Sequence, residues 1–202
     1  MLFYWFCFWV AYPVFKLFAP TKIINRKNFL RGEATIIAGN HQSAIDPLLI
    51  AIGFRIRPAF LAKHTLFRTR FKAWFFKHVN AIPVDRNEVG LSVIKRCLAE
   101  LKAGRKLILF PEGTRRISLE ESSSLKGGAA LFALKAGVYI QPIHYIGKPG
   151  FWRRNKLVIG KPFKLTEFEG QKPTKEVIEA AGKIIGQKII EVREEYLASI
   201  WR

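Results

Sequence analysis

The sequence predicts a single α/β domain: a mainly parallel sheet flanked by helices, with an N-terminal membrane-associated helical element. Three observations carry that expectation. Short β-branched or apolar runs alternate with amphipathic helical stretches along the chain. The segment from Lys106 to Phe110, KLILF, is continuously apolar after its lysine, the pattern of a strand buried on both faces in a parallel sheet. The chain has 202 residues, 50% of them hydrophobic, enough for one substantial core. No repeat or clear linker divides it, so residues 1–30 are read as the membrane-associated element and 31–202 as the α/β domain.

In chain order, residues 1–15 carry no charge and six of the first nine are aromatic. As a helix they would reach about 22 Å, short of a bilayer core of about 30 Å. No basic segment precedes this run and no small-residue cleavage site follows, which argues against a signal peptide. The expectation is a helix lying in one leaflet, with Lys16, Lys22, Arg26, Lys27 and Arg31 among anionic headgroups. The competing reading is a helix buried in the protein's own core.

Thr35 to Ile37 is a β-branched strand that runs into Gly39, Asn40 and His41. Pro47 to Ile56 reads as a short apolar helix, Pro58 to Ala62 as a strand ending at Lys63. Residues 64–79 place Phe67, Phe71, Trp74 and Phe75 on one helical face among Arg68, Arg70, Lys72 and Lys77. That fits an interfacial helix, or equally a core-packed one with a solvated basic side. Ala81 to Val84 is a strand, and Glu88 to Ala103 an amphipathic helix stopped by Gly104. Its stripe Ile94, Cys97, Leu98, Leu101 marks Cys97 as core; Cys7 is the other cysteine, and neither belongs to a CxxC pair or a disulfide framework. After the 106–110 strand, residues 116–124 read as a mobile loop and Lys126 to Ala136 as a helix. Val138 to Ile146 is a strand that Pro142 assigns to an edge or a bulge. Leu157 to Ile159 is a short strand, and Thr174 to Ser199 a long amphipathic helix with Val177, Ala181, Ile184, Ile185 and Val192 facing inward.

The net charge of +19, from 34 Lys+Arg against 15 Asp+Glu, calls for an anionic partner: nucleic acid, membrane surface or phosphorylated substrate. Aromatics at 13% lean toward the membrane. No nucleic-acid-binding motif of recognisable form is present. A basic, non-enzymatic binding protein is the alternative from another functional class.

The chemistry centres on His41 and Asp46. Five residues apart, they would not share a face of a regular helix, so they meet only if His41 sits in the turn and Asp46 at the helix entrance. Pro47 supports this, with aspartate as the cap before a proline at the first helical position. One carboxylate oxygen could then accept a helix N–H and the other Nδ1–H of His41, leaving Nε2 to take a proton. A plain helix cap beside an unrelated histidine is the bland alternative. After the buried strand comes PEGTR: Gly113 offers unobstructed N–H groups, Thr114 a hydroxyl and Arg115 a fork of donors suited to phosphate, with Glu112 placed to orient the arginine. Arg86 follows the third strand. In a parallel sheet His41, Lys63, Arg86 and Arg115 would all fall at strand carboxyl ends, lining one crevice. Taken singly, each basic residue reads as a solvated surface charge. There is no GxSxG, Walker A, Rossmann or HExxH motif, and His64, His78 and His144 lack metal-ligand spacing, so no metal or cofactor is expected. A His–Asp pair with no clear Ser or Cys nucleophile suggests activation of a substrate hydroxyl.

Four blocks carry a family resemblance: NHQSAIDP, AIPVDR, FPEGTR and the proline-containing strand VYIQPIHY, in that order between residues 34 and 146. The array resembles the glycerophospholipid acyltransferase superfamily, specifically the 1-acyl-sn-glycerol-3-phosphate acyltransferases. That resemblance implies a twisted sheet with helices around it and an N-terminal element on the membrane, placed at the cytoplasmic face of the cell membrane as a monotopic protein. It implies that His41 deprotonates a glycerol hydroxyl of lysophosphatidic acid while Asp46 holds it. The oxygen would then attack the thioester of acyl-CoA or acyl carrier protein, the co-substrates. Arg86 and the Glu112–Arg115 turn, with Gly113 and Thr114, would bind the acceptor phosphate, beside Lys63. Glycerol 3-phosphate or another lysolipid is the alternative acceptor. Three positions depart from the family pattern: His64-Thr65-Leu66 where Lys-Glu-Leu is frequent, Ala73 where glycine precedes Trp-Phe, and Asn80 where glycine precedes Ala-Ile-Pro.

Overall fold

The computed structural model describes residues 2–85, 89–111 and 123–201, the side chains of 123–126 excepted. Among the described residues, helix α1 (Leu2–Phe18) leads to strand β1 (Thr21–Ile24) and strand β2 (Thr35–Gly39). Helix α2 (Asp46–Phe54), strand β3 (Ala59–Lys63), helix α3 (Arg70–His78) and strand β4 (Ala81–Val84) follow. Then come helix α4 (Leu91–Lys102), strand β5 (Lys106–Leu109), helix α5 (Ser123–Ala136), strands β6 (Tyr139–Ile146) and β7 (Asn155–Ile159), and helix α6 (Lys175–Ile200). Among the described residues the sheet has seven strands, in the order β1-β7-β6-β2-β5-β3-β4. Strands β2 to β6 run parallel to one another; β7 is antiparallel to β6, and β1 runs parallel to β7. The sheet is therefore mainly parallel, as the continuous apolar runs require.

Both faces are covered. Ile36 and Ala38 of β2 and Leu107 and Leu109 of β5 point toward α4, α5 and α6, where Cys97, Phe132 and Ile185 complete one core. Ile37, Ile108, Ile143 and Tyr145 point the other way, onto Phe15 of α1 and Leu49, Ile50 and Phe54 of α2. Every residue of β2 is buried. Gly39 is forced by its neighbour: a Cβ there would lie 2.5 Å from Ile143 Cγ1, in the adjacent strand.

Strand β1 is absent from the sequence reading. It lies within residues 1–30, has only four residues, and pairs with a strand more than 130 positions later, so no local signal marks it. The expected helix over 64–79 is broken. His64–Phe67 forms a 3-10 turn, and Thr69 then caps α3 by accepting from Lys72 N at 3.3 Å. Helix α5 begins at Ser123, so the end of the expected loop over 116–124 is helical; 116–122 lie outside the described residues. Of the two settings expected for Pro142, an edge or a bulge, the edge is excluded and the bulge is found. β6 is interior, between β2 and β7. The proline is accommodated because the register slips by one residue there: Ile143 faces Ile159, yet Ile140 faces Phe163. Asn80, where the family pattern has glycine, takes φ 65, a left-handed conformation that glycine and asparagine tolerate best. Its side chain donates to Glu100 Oε2 at 3.0 Å.

Helix α1 packs one face on the domain and leaves the other exposed. Tyr4, Phe8 and Phe15 are buried against the domain, and Tyr4 O–H donates to Ile56 O at 2.6 Å. The other face exposes Leu2, Phe6, Trp9, Val10, Val14 and Leu17, with Leu2 at 89% and Leu17 at 71%. Phe3 packs on Trp74 of α3 at 4.6 Å between ring centroids, which brings the exposed rings Phe71 and Trp74 beside this face. None of the described helices is long and apolar enough to cross a membrane.

Candidate active site

The parallel strands β2, β3, β4 and β5 deliver their carboxyl ends to one edge of the sheet. β2 ends at Gly39, and the chain turns through Asn40 and His41 before α2 begins at Asp46. His41 Nδ1 lies 2.9 Å from Asp46 Oδ2. The carboxylate can only accept, so Nδ1 carries the hydrogen and Nε2 of the neutral ring is left with its lone pair. Both residues are buried, at 8% and 0% exposure.

The distribution of bonds on Asp46 differs from the expectation. A single oxygen, Oδ2, accepts from His41 Nδ1, from Gln42 N at 2.8 Å and from Ser43 N at 2.8 Å. These N–H groups belong to the turn, not to the helix, and Oδ1 has no partner among the described residues. Asp46 is itself the first helical residue, with Ile45 as the cap. The carboxylate thus closes the turn around the histidine, and its charge strengthens all three bonds.

Three residues the sequence reading passed over fix this arrangement. Asn40 reaches across to β6: its Oδ1 accepts from Tyr145 N at 2.7 Å and its Nδ2 donates to Tyr145 O at 3.0 Å. The amide therefore extends the sheet by one ladder step at the point where His41 must leave it. Tyr145 O–H donates to Asp46 O at 2.9 Å. Burial, then the nearby Asp46 charge, hold the Tyr145 phenol well above its usual pKa, so it remains a donor. Phe110, just past β5, stacks on the His41 ring with centroids 4.3 Å apart and planes 13° from parallel. Asn40 stands beside His41 in the sequence and could have been singled out. Tyr145 had no local signal, since it meets Asp46 across 99 residues.

His144, next to Tyr145, is a structural histidine. Its Nδ1–H donates to Ile189 O at 3.2 Å and Nε2 accepts from Asn40 Nδ2 at 3.3 Å. Burial lowers its pKa to about 4, so it is neutral and supports Asn40 from behind.

His41 opens onto a cavity of about 700 Å³. Its walls are largely apolar: Phe75 and Phe76 from α3, Phe60 and Leu61 from β3, and Leu131 and Phe132 from α5. Lys63, at the end of β3, is exposed and shares this lining with His41. The structure thus brings together three expected site residues: His41, Asp46 and Lys63. Arg86, Glu112, Gly113, Thr114 and Arg115 lie outside the described residues. No group of His, Cys, Asp and Glu among the described residues could hold a metal ion.

A histidine held by a buried carboxylate, at the mouth of an apolar cavity and at the carboxyl edge of a parallel sheet, is an arrangement chemically able to take a proton from a hydroxyl. The acyltransferase family model matches residues 20–146, and the chain belongs to that family. A Bacillus subtilis protein named 1-acyl-sn-glycerol-3-phosphate acyltransferase is 30% identical over 200 residues, covering 95% of this chain and 98% of the relative. One of the same name from Streptococcus pneumoniae is 38% identical over 119 residues, covering 57% of this chain; the match spans 42% of that longer relative. Among solved structures, the 1-acyl-sn-glycerophosphate (LPA) acyltransferase PlsC from Thermotoga maritima shares the fold, with a TM-score of 0.60 and 24% identity over 86% of this chain and 72% of its own.

Proposed function

We propose that this chain transfers an acyl group from a thioester to the free hydroxyl of 1-acylglycerol 3-phosphate, giving phosphatidic acid. The observation that carries the reading is the His41–Asp46 pair, 2.9 Å apart, facing an apolar cavity of about 700 Å³. The near full-length Bacillus subtilis relative carries that activity in its name and supports the choice of acceptor.

In this reading the cavity takes the acyl chain and places the thioester carbonyl beside Nε2 of His41. Nε2 removes the hydroxyl proton as the oxygen bonds to the carbonyl carbon. The carbon–sulfur bond then breaks, and the leaving sulfur takes the proton from the imidazolium, giving ester and free thiol. Asp46 stabilises the transient imidazolium. The acceptor phosphate would meet Lys63 at the cavity rim, with Arg86 and the Glu112–Arg115 turn as its further ligands. The donor is an acyl-CoA or an acyl carrier protein, and no cofactor is required.

The exposed apolar face of α1, continued by Phe71 and Trp74, would rest in the headgroup and upper acyl region of one leaflet and give a lipid acceptor a short path to the cavity. We place that contact on the cytoplasmic face, where acyl thioesters are available.

The test is a donor-by-acceptor matrix on purified protein, with products resolved by mass spectrometry. Ester formation on 1-acylglycerol 3-phosphate should exceed that on glycerol 3-phosphate or on lysophosphatidylcholine. His41→Ala should lower kcat by about 10²–10⁴, the usual worth of a general base. Full turnover in that variant would remove His41 as the base, and preference for another acceptor would replace the substrate.

A further inference from the structure

A second large cavity lies away from His41, between the last turns of α1, the end of α2, the edge strand β1 and its neighbour β7. Its volume is about 800 Å³. Asp46 opens α2 at the His41 site, and Gly53 to Arg55 sit at its far end. Eight residues of helix, about 12 Å, therefore separate the two.

Among the described residues, seven cations line this groove and no carboxylate does. None of the seven forms an ion pair among the described residues. Three arginines are positioned by bonds that spend a single N–H each. Arg26 Nη2 donates to Gly53 O at 2.8 Å, Arg31 Nη1 to Phe54 O at 3.5 Å, and Arg55 Nη2 to Tyr12 Oη at 3.1 Å. A guanidinium has five N–H groups, so most remain for a ligand. Arg55 also holds φ 53, a left-handed conformation in which glycine costs less.

Lys22 of β1 and Lys156 of β7 are direct cross-strand partners, and both line the groove. Like charges placed opposite each other destabilise a sheet. An anion between them would reverse the sign of that term. The floor is apolar, made by Phe15, Leu49, Ile52 and Phe54. Helix α1 turns Tyr12, Phe15 and Lys16 toward the groove and Val10, Val14 and Leu17 outward, so the groove borders the exposed apolar face.

We propose that this groove binds one anionic glycerophospholipid: its phosphate lies between the Lys22–Lys156 pair and the arginines Arg26 and Arg55, and its chain lies on the apolar floor. The site is separate from the acyl acceptor's and does not depend on the acyl-transfer reading. A free phosphate would use the cations but leave the floor bare, and the zwitterionic headgroup of a phosphatidylcholine would bring its own cation into a groove without a carboxylate.

The experiment is titration calorimetry on the full chain with dihexanoyl phosphatidylglycerol below its micellar concentration. One saturable site is expected, weakened tenfold or more in Lys22→Gln/Lys156→Gln and in Arg26→Gln/Arg55→Gln, since each pair removes charge-assisted bonds to the phosphate. All four positions are exposed, so folding is not at stake for the lysine pair, and circular dichroism checks the arginine pair. Lys172→Gln/Lys175→Gln, exposed and outside the groove, removes the same charge and should bind as the parent does. Equal weakening in that control would reduce the effect to net charge and overturn the proposal. So would equal binding of dihexanoyl phosphatidylcholine, displacement by equimolar inorganic phosphate, or the absence of saturable binding. His41→Ala should keep this binding while losing acyl transfer, which separates failure here from failure of the enzymatic reading.

Discussion

Replacing Asp46 with asparagine isolates the charge at the site. Gln42 N and Ser43 N both point at Oδ2, at 2.8 Å each, so the amide oxygen must occupy that place. The NH2 group then falls where Oδ1 has no partner among the described residues. His41 Nδ1, at 2.9 Å, still donates to an oxygen, so shape and tautomer survive and only the negative charge goes. Its attraction for an imidazolium about 4 Å away, charge centre to charge centre, is about 4 kcal/mol at an effective dielectric constant of 20. The amide dipole recovers part of this, so kcat should fall about a hundredfold to a thousandfold. The Michaelis constant for the acceptor should be unchanged, because the imidazolium exists only once the proton has moved. Asp46→Ala differs: it strands three donors in a buried site, and an added loss of about 3–5 kcal/mol of stability is expected. The assay is thiol release from the acyl thioester, paired with urea denaturation of each variant. A kcat within threefold of the parent in folded Asp46→Asn would refute the assignment of imidazolium stabilisation to Asp46.

Two further outcomes are expected. Phe6→Ser/Trp9→Ser removes two rings that are 66% and 56% exposed, worth about 2 kcal/mol together, and should weaken binding to phospholipid vesicles about thirtyfold; unchanged sedimentation with vesicles would count against the α1 face as the lipid contact. His144, with a pKa lowered by burial to about 4 from an unfolded value near 6.5, lets the unfolded chain bind the extra proton between those values. Its contribution is therefore complete above about pH 6.5 and is lost as pH falls toward 4, by about 2 kcal/mol after allowing for partial exposure; His144→Gln should flatten the pH 6.5 to 5 portion of the stability curve.

Much of the fold was legible because the buried strands are continuously apolar and the helices keep a clean stripe. KLILF and the Ile94–Leu101 stripe need no partner to be read. β1 was not legible, because a four-residue edge strand owes its existence to β7 rather than to its own composition. Pro142 left an edge and a bulge open for a related reason: only the pairing with the neighbouring strand, where the register slips by one residue, decides for the bulge. At the site, the meeting of His41 and Asp46 could be argued from the turn and the following proline. The concentration of three donors on one oxygen could not, since it depends on the backbone direction of Gln42 and Ser43. Asn40 and Tyr145 are joined by sheet topology, which local spacing does not encode.

That topology also sets a schedule for synthesis. β2, which leads into His41, is paired with β5 and β6, so its neighbours leave the ribosome about 70 and 100 residues after it does. Until then a strand that ends up wholly buried has both edges open, and long-range pairing of this kind folds slowly. Tyr145 secures Asp46 only when β6 is in place, so a nascent chain halted before that strand would carry both His41 and Asp46 without the contact that braces them.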